Sequence, residues 1–303
     1  MTNSPGDPKT LVAAIMLCVA GVALFSIMDV AMKGLAIAIG AYSAVFWRNI
    51  LGTFISGCGM LAMRNPWPEK KVLRLHIVRA ALIGPMAVLF FWALTRMPLA
   101  EAIALSFIAP VIALYLSAIL LKEQISRYSV IAAILGLAGV VVIVSHRLSG
   151  QYDSGALWGV VAVLVSAVMF AANLVVQRQQ AQVASAIEIA FFQNMLVLMV
   201  LLPFAPWLLK WWSIDMLPFV VMSAVLAVCS QMILAKAYAR APASRLIPIE
   251  YSAFAWAALF GWLVFDEHVT WAVIAGVVLI IAACFVAARE KPRLAAHIEA
   301  ETA

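Results

Sequence analysis

The chain has 303 residues, 66% of them apolar and 11% charged, with a formal net charge of +6 and a mean hydropathy of +1.06. A soluble domain holds about 45–50% apolar and about 25% charged residues, so this composition excludes a water-soluble globular fold. Lipid has to cover much of the surface.

A bilayer core takes roughly 20 apolar residues of helix. On that measure spans fall near 11–33, 41–63, 75–95, 98–121 and 128–146, and again near 155–177, 185–209, 215–238, 243–265 and 271–288. The expected fold is all-α and membrane-integral, with ten transmembrane helices. The first span has only Lys9 as a basic flank, is long for a signal peptide and is followed by no Ala-x-Ala site, so it reads as a retained helix. Pro98, Pro242 and Ala243 mark helix starts, and Ser126 and Thr270 are candidate N-caps. A short polar linker, His146 to Ser154, separates two blocks, 11–146 and 155–288, with tails at 1–10 and 289–303.

The two blocks are copies. A shift of 144 positions lays Arg96 on Arg240, Pro98 on Pro242, Ile103 on Ile247, Ala113 on Ala257 and Glu123 on Glu267. The same shift lays Asp29 on Asn173 and Lys33 on Gln177, and a shift of 145 lays Phe46-Trp47-Arg48-Asn49 on Phe191-Phe192-Gln193-Asn194. Two copies with five spans each have to sit in opposite orientations, the inverted repeat typical of secondary transporters.

With the N-terminus inside, Lys9, Arg64, Lys70, Lys71, Arg74, Lys122, Arg127, Arg178, Arg240, Arg245, Arg289, Lys291 and Arg293 gather at the inner face. Lys33, Arg96, Arg147 and Lys210 lie at the outer one. The bias obeys the positive-inside rule. It puts both termini in the cytoplasm and explains a pI of 9.3 without any nucleic-acid partner. Cys18, Cys58, Cys229 and Cys284 all fall in spans and read as small buried hydrophobes, and no metal or cofactor is expected. Gly155-x-x-x-Gly159 and Ala132-x-x-x-Gly136 read as packing positions inside one bundle, so a monomer is the expected working unit.

Polar groups at membrane depth are the candidate site, because charge there is costly and usually faces a bundle interior. Glu250 falls about 10 Å into its span, after Pro248 and before Tyr251. It is either a substrate or coupling carboxylate, or a structural one paired with Arg245. Arg48, flanked by Trp47 and Asn49, either grips a carboxylate or phosphate through its planar fork or snorkels to headgroups. Asp29 and Lys33 share a helix face at i, i+4, as a plain ion pair or as a gate; the counterpart of Asp29, Asn173, cannot titrate. Gln193 and Asn194 are the copies of Arg48 and Asn49. Arg79 and Lys236 read as snorkelling side chains, and Glu123 and Glu267 as caps or loop links. Phe107, Tyr115, Tyr251 and Trp256 either line an apolar cavity or pack helices.

FSIMDVAMK ending the first span, FWRN opening the second, MPLAEAIALSFIAPV in the fourth, LLKEQIS after it and APASRLIPIEYSAFAWAALFGWLVFDE through the ninth resemble one family. It is the EamA type of the drug/metabolite transporter superfamily, and the likeness runs over about residues 11 to 290. The resemblance implies a central cavity between helices 3, 4, 8 and 9, helices 1, 2, 6 and 7 moving around it, and peripheral helices 5 and 10. It does not specify a substrate.

The function expected is secondary active transport of a small metabolite across a bacterial-type inner membrane by alternating access. An amino acid or related amphipathic solute is the leading class, and uptake of a vitamin or nucleoside-like cofactor is the second. A channel is the rival from another class. No His-Glu-x-x-His, Gly-x-Ser-x-Gly or Gly-x-x-x-x-Gly-Lys motif supports an enzyme or an ATP-driven pump.

Overall fold

The computed structural model describes residues 8–109, 111–113, 116, 127–149, 154–180, 183–238 and 251–288. Among them there is no strand. The helices are α1 (Pro8–Ile39), α2 (Ala41–Ala62), α3 (Lys70–Leu94), α4 (Leu99–Ser106) and α5 (Arg127–Ser149), then α6 (Ser154–Gln180), α7 (Ala186–Leu201), α8 (Leu217–Tyr238), α9 (Ser252–Phe265) and α10 (Trp271–Ala288). Among the described residues five helical stretches are long and apolar enough to cross a bilayer: Val12–Ile39, Lys70–Leu94, Leu157–Leu174, Ala186–Leu208 and Ile214–Leu234.

Local chemistry sets the ends. Gly40, at φ 87°, turns α1 into α2 with no intervening loop, a conformation that costs glycine nothing. Ser185 caps α7 by accepting the Glu188 N–H. Asp266 ends α9 in the left-handed region, φ 54°, which a short polar side chain tolerates. Thr270 accepts from the N–H of Val273 in the first turn of α10, as its cap role predicts.

The polarity of the bundle is reversed from that of a soluble protein. Phe54, Leu61, Ile134, Leu137, Trp158 and Val278 are each at least 60% exposed, whereas Asp29, Lys33, Arg79, Glu101 and Glu188 are all under 9%. Water does not tolerate such an exterior, and lipid does. Cys18 is buried, but Cys58 and Cys229 lie on the exposed exterior, so the reading of buried cysteines fails there: the helix face they occupy is turned outward.

Helix pairing has an internal symmetry. The most extensive pairings are α1 with α8, α3 with α6, α2 with α7 and α5 with α10, and smaller ones join α3 to α7, α2 to α8, α1 to α9, α4 to α9 and α4 to α6. Exchanging each of α1–α5 with the helix five places later maps this set onto itself. Where contacts resolve direction the partners run antiparallel: along α2, Gly52 meets Asn194, Gly57 meets Phe191 and Gly59 meets Ile187 on α7. Between α5 and α10 the backbones themselves touch, because a Cβ on Gly139 would stand 2.6 Å from the Gly276 carbonyl and one on Gly276 would stand 2.8 Å from that of Gly139. Gly136 and Gly159 also pack against helices of the same chain. One end of the bundle carries Lys70, Lys71 and Arg74; the other carries Arg96 and the α1–α2 turn.

Candidate functional site

Three polar layers lie inside the apolar exterior. At the Arg96 end, Lys33 of α1 forms an ion pair with Glu267 and donates to the Met97 carbonyl at 2.9 Å. Glu267 also accepts the Leu99 N–H at 2.7 Å, capping α4 from the α9–α10 connection. The link-or-cap reading of Glu267 holds, but the sequence-local Asp29–Lys33 pair does not form: Lys33 reaches across the bundle instead. A cavity of about 210 Å³ beside this cluster is walled by Arg96, Glu101, Gly261, Glu267, His268 and Thr270, among others.

The middle layer sits where α2 crosses α7. Asn49 donates to the Val45 carbonyl at 2.7 Å, and its copy Asn194 donates to Ala190 at 2.8 Å, so both return to the same place in their own helices. Gly52 admits Asn194: a Cβ there would stand 2.5 Å from the Asn194 Oδ1. One position before each asparagine the copies differ. The Arg48 guanidinium lies 5.7 Å from the Phe91 ring centre, and its Nη1 lies 3.7 Å from the Met28 sulfur. Among the described residues neither its buried Nε nor the buried Oε1 of Gln193 has a hydrogen-bond partner. Asp29, 7% exposed, is close enough to Arg48 to interact through charge, yet among the described residues it makes neither a salt bridge nor a hydrogen bond. A buried polar atom without a partner costs about 1–3 kcal/mol. Here a donor and an acceptor of that kind occupy corresponding positions of the two copies.

The third layer, toward the Lys70 end, was not foreseen as a unit. Arg79 is 6% exposed and points into the bundle, so it does not snorkel. Its Nε donates to Asn173 Oδ1 at 3.0 Å and its Nη1 to Gln180 Oε1 at 2.5 Å. Gln180 in turn meets His76, which meets Glu188. Asn173 therefore serves this layer and not the one that holds Asp29. A charge inside a span was the available signal; its partners, on α6 and α7, have no local signature.

Of the remaining candidates, Phe107 and Tyr251 are brought together, ring centres 5.1 Å apart and edge to face, at the junction of α4 and α9. Trp47 is placed at the rim: it donates to the Lys210 carbonyl at 3.1 Å and packs on Trp211 and Trp212. Trp256 stacks on Phe260 and packs against the Ala14, Cys18, Val22 and Ala237 cluster, apart from Phe107. Glu250 and Tyr115 lie outside the described residues.

Comparison with known proteins agrees with this arrangement. The family model of the EamA-like transporters matches residues 12–145 and 157–289, one match per block. The pseudopaline exporter CntI of Pseudomonas aeruginosa is 27% identical over 93% of this chain and 98% of its own length. The S-adenosylmethionine uptake transporter of Rickettsia prowazekii is 23% identical over 91% of this chain and 92% of its own. A solved crystal structure superposes with a TM-score of 0.62 at 21% identity, covering 92% of this chain and 99% of that one. With an exterior suited only to lipid, charge confined to the bundle interior and a family match on each of its two blocks, the chain belongs to the EamA-like transporter family of multi-pass membrane transporters.

Proposed function

We propose that the protein is a secondary active transporter of a small metabolite, built as ten spans in two inverted repeats, 11–146 and 155–288. In this reading it works by alternating access in a bacterial-type inner membrane, with both termini cytoplasmic. The exchange symmetry of helix pairing and the antiparallel α2–α7 contact support the inversion. The observation that carries the site is the pair of buried, unpartnered atoms, Arg48 Nε and Gln193 Oε1, with the Asp29 carboxylate near Arg48. Between them they offer a cationic fork, a neutral acceptor and an anion. A solute with a carboxylate and an amine, such as an amino acid or a derivative of one, matches that set. Phe107 and Tyr251 supply an apolar wall, and the sequence positions of Tyr115, Glu250 and Trp256 put them on the same two spans.

The test is flux into proteoliposomes for a panel of labelled amino acids, with pseudopaline and S-adenosylmethionine included because relatives are named for them. Saturable uptake with counterflow is expected. Arg48→Lys should weaken apparent affinity about tenfold or more, because the fork is lost while the charge stays. Flux that never saturates would make the protein a pore, and unchanged affinity in Arg48→Lys and Arg48→Ala would remove Arg48 from the site. For topology, single cysteines at Met97 and Ala241 should label oppositely with an impermeant reagent; equal labelling in intact cells ends the inverted-repeat reading.

A further inference from the structure

We propose that the buried chain Glu188–His76–Gln180–Arg79 is a proton site that locks α3 to α6 at the Lys70 end, and that protonating His76 releases the lock. This rests on the transporter reading and adds a coupling ion to it. The chain runs in one direction. Arg79 has only donors, so its Nη1 has to face an acceptor, Gln180 Oε1 at 2.5 Å. That turns the Gln180 amide nitrogen toward His76 Nδ1, 2.5 Å away, and Nδ1 has to accept. The imidazole proton therefore sits on Nε2, 3.1 Å from Glu188 Oε1, which accepts. One arrangement of protons satisfies every link, and in it His76 is neutral. With His76 and Gln180 each 1% exposed, the surrounding protein leaves bulk water little access to repair a broken link.

A proton added to Nδ1 from solution makes both ring nitrogens donors. The Gln180 amide nitrogen then faces a donor. If the amide turns over, its oxygen accepts from Nδ1, but its nitrogen meets Arg79 Nη1, again donor against donor. Either way one link joining α3 to α6 is lost. Meanwhile the link to α7 gains charge on both sides, His76 against Glu188, so protonation moves the attachment of α3 from α6 toward α7. The groups that act on His76 are Arg79 on its own helix, Gln180 from α6, and Glu188 with the Phe192 ring, 4.8 Å away, from α7. Arg74, two residues before His76 on α3, is exposed. Further along, Pro85 inside α3 leaves the Ala81 carbonyl without its helical donor, a place where the helix can bend.

The experiment needs no substrate. In a variant with all four native cysteines replaced, Ala80→Cys puts a thiol at a buried position next to Arg79 (Ala80 is 1% exposed). Maleimide labelling in detergent is measured at each pH and divided by the rate in SDS, which cancels thiol ionisation. From about pH 8 to about pH 5, the range in which imidazoles change charge, the ratio should rise about fivefold, the scale of one ordinary hydrogen bond. His76→Gln, whose amide can donate to Glu188 and accept from Gln180 without titrating, should stay flat. Gln180→Glu should also stay flat, since its carboxylate accepts from Arg79 and from protonated His76 alike. No rise with His76 present, or the same rise in His76→Gln, overturns the proposal; should His76→Gln not fold, Gln180→Glu decides by itself. Because the label reads the packing of α3 and not the solute, a flat result leaves the transport reading intact. Failed flux beside a clear pH response would instead count against transport alone.

Discussion

The first block puts Asp29, Lys33, Arg48, His76 and Arg79 inside the bundle; 144 or 145 positions later stand Asn173, Gln177, Gln193, Val220 and Ser223. Backbone pairing is shared between the blocks, and at these five positions ionisable chemistry is not. What they do share at the α2–α7 crossing is Asn49 and Asn194, each bonded to its own helix. The difference follows from symmetry. Where related helices cross, a residue kept in both copies is brought toward itself. A neutral amide closed on its own backbone tolerates that, and a second guanidinium does not. At the proposed site, a cation in one copy against an amide in the other would let a two-fold scaffold hold an asymmetric solute.

This contrast can be broken, and the harshest way is to restore the symmetry of charge. Gln193→Arg places a second cation at the α2–α7 crossing with no partner provided, at a desolvation cost of several kcal/mol; little monodisperse protein should survive detergent extraction, measured by size-exclusion. Glu267→Gln comes next. It keeps an acceptor for the Leu99 N–H but strips Lys33, 4% exposed, of its anion. The loss should be about 3 kcal/mol, the low end for breaking a buried pair because Glu267 is partly exposed, and should appear as a lower midpoint in a thermal scan. Gly52→Ala tests the shared part of the crossing: the new methyl would fall on the Asn194 side chain, and overpacking of this kind costs about 1–3 kcal/mol. The smallest effect is expected for Asp29→Asn, which gives the first block the residue of the second. Since the Asp29 carboxylate makes no hydrogen bond, stability should hold within about 1 kcal/mol or rise, while affinity for an amine-bearing solute falls in the flux assay. A large drop in melting temperature for Asp29→Asn would show the carboxylate to be structural.

Much of the scaffold was legible because hydrophobic runs and the repeat both act along the chain. Spans at 41–63 and 271–288 correspond to helices at 41–62 and 271–288. The asparagine pair was visible because copying preserves position. Partnerships between helices were not. Lys33 lies one turn from Asp29 yet pairs with Glu267, 234 positions away, because in a bundle the nearest acceptor in space belongs to another helix. Arg79 looked like a headgroup contact because depth was judged from the span end; Asn173 and Gln180, which hold it inward, come from α6. Repeat alignment could not help there, since its counterpart is Ser223 and the described residues hold no second copy of that network.

Gly139 and Gly276 bring the two blocks into backbone contact, and each glycine is also the socket for a side chain of the facing helix, Ile280 on Gly139 and Ile143 on Gly276. Helices that mesh through side chains resist a change of crossing angle, because teeth must leave their grooves. Here the teeth are two isoleucines and the grooves two glycines, so the seam is keyed at one spot. If the halves of this protein rock, the α5–α10 crossing holds its angle as a pinned joint does, and a bulky side chain at either glycine would push the pin out.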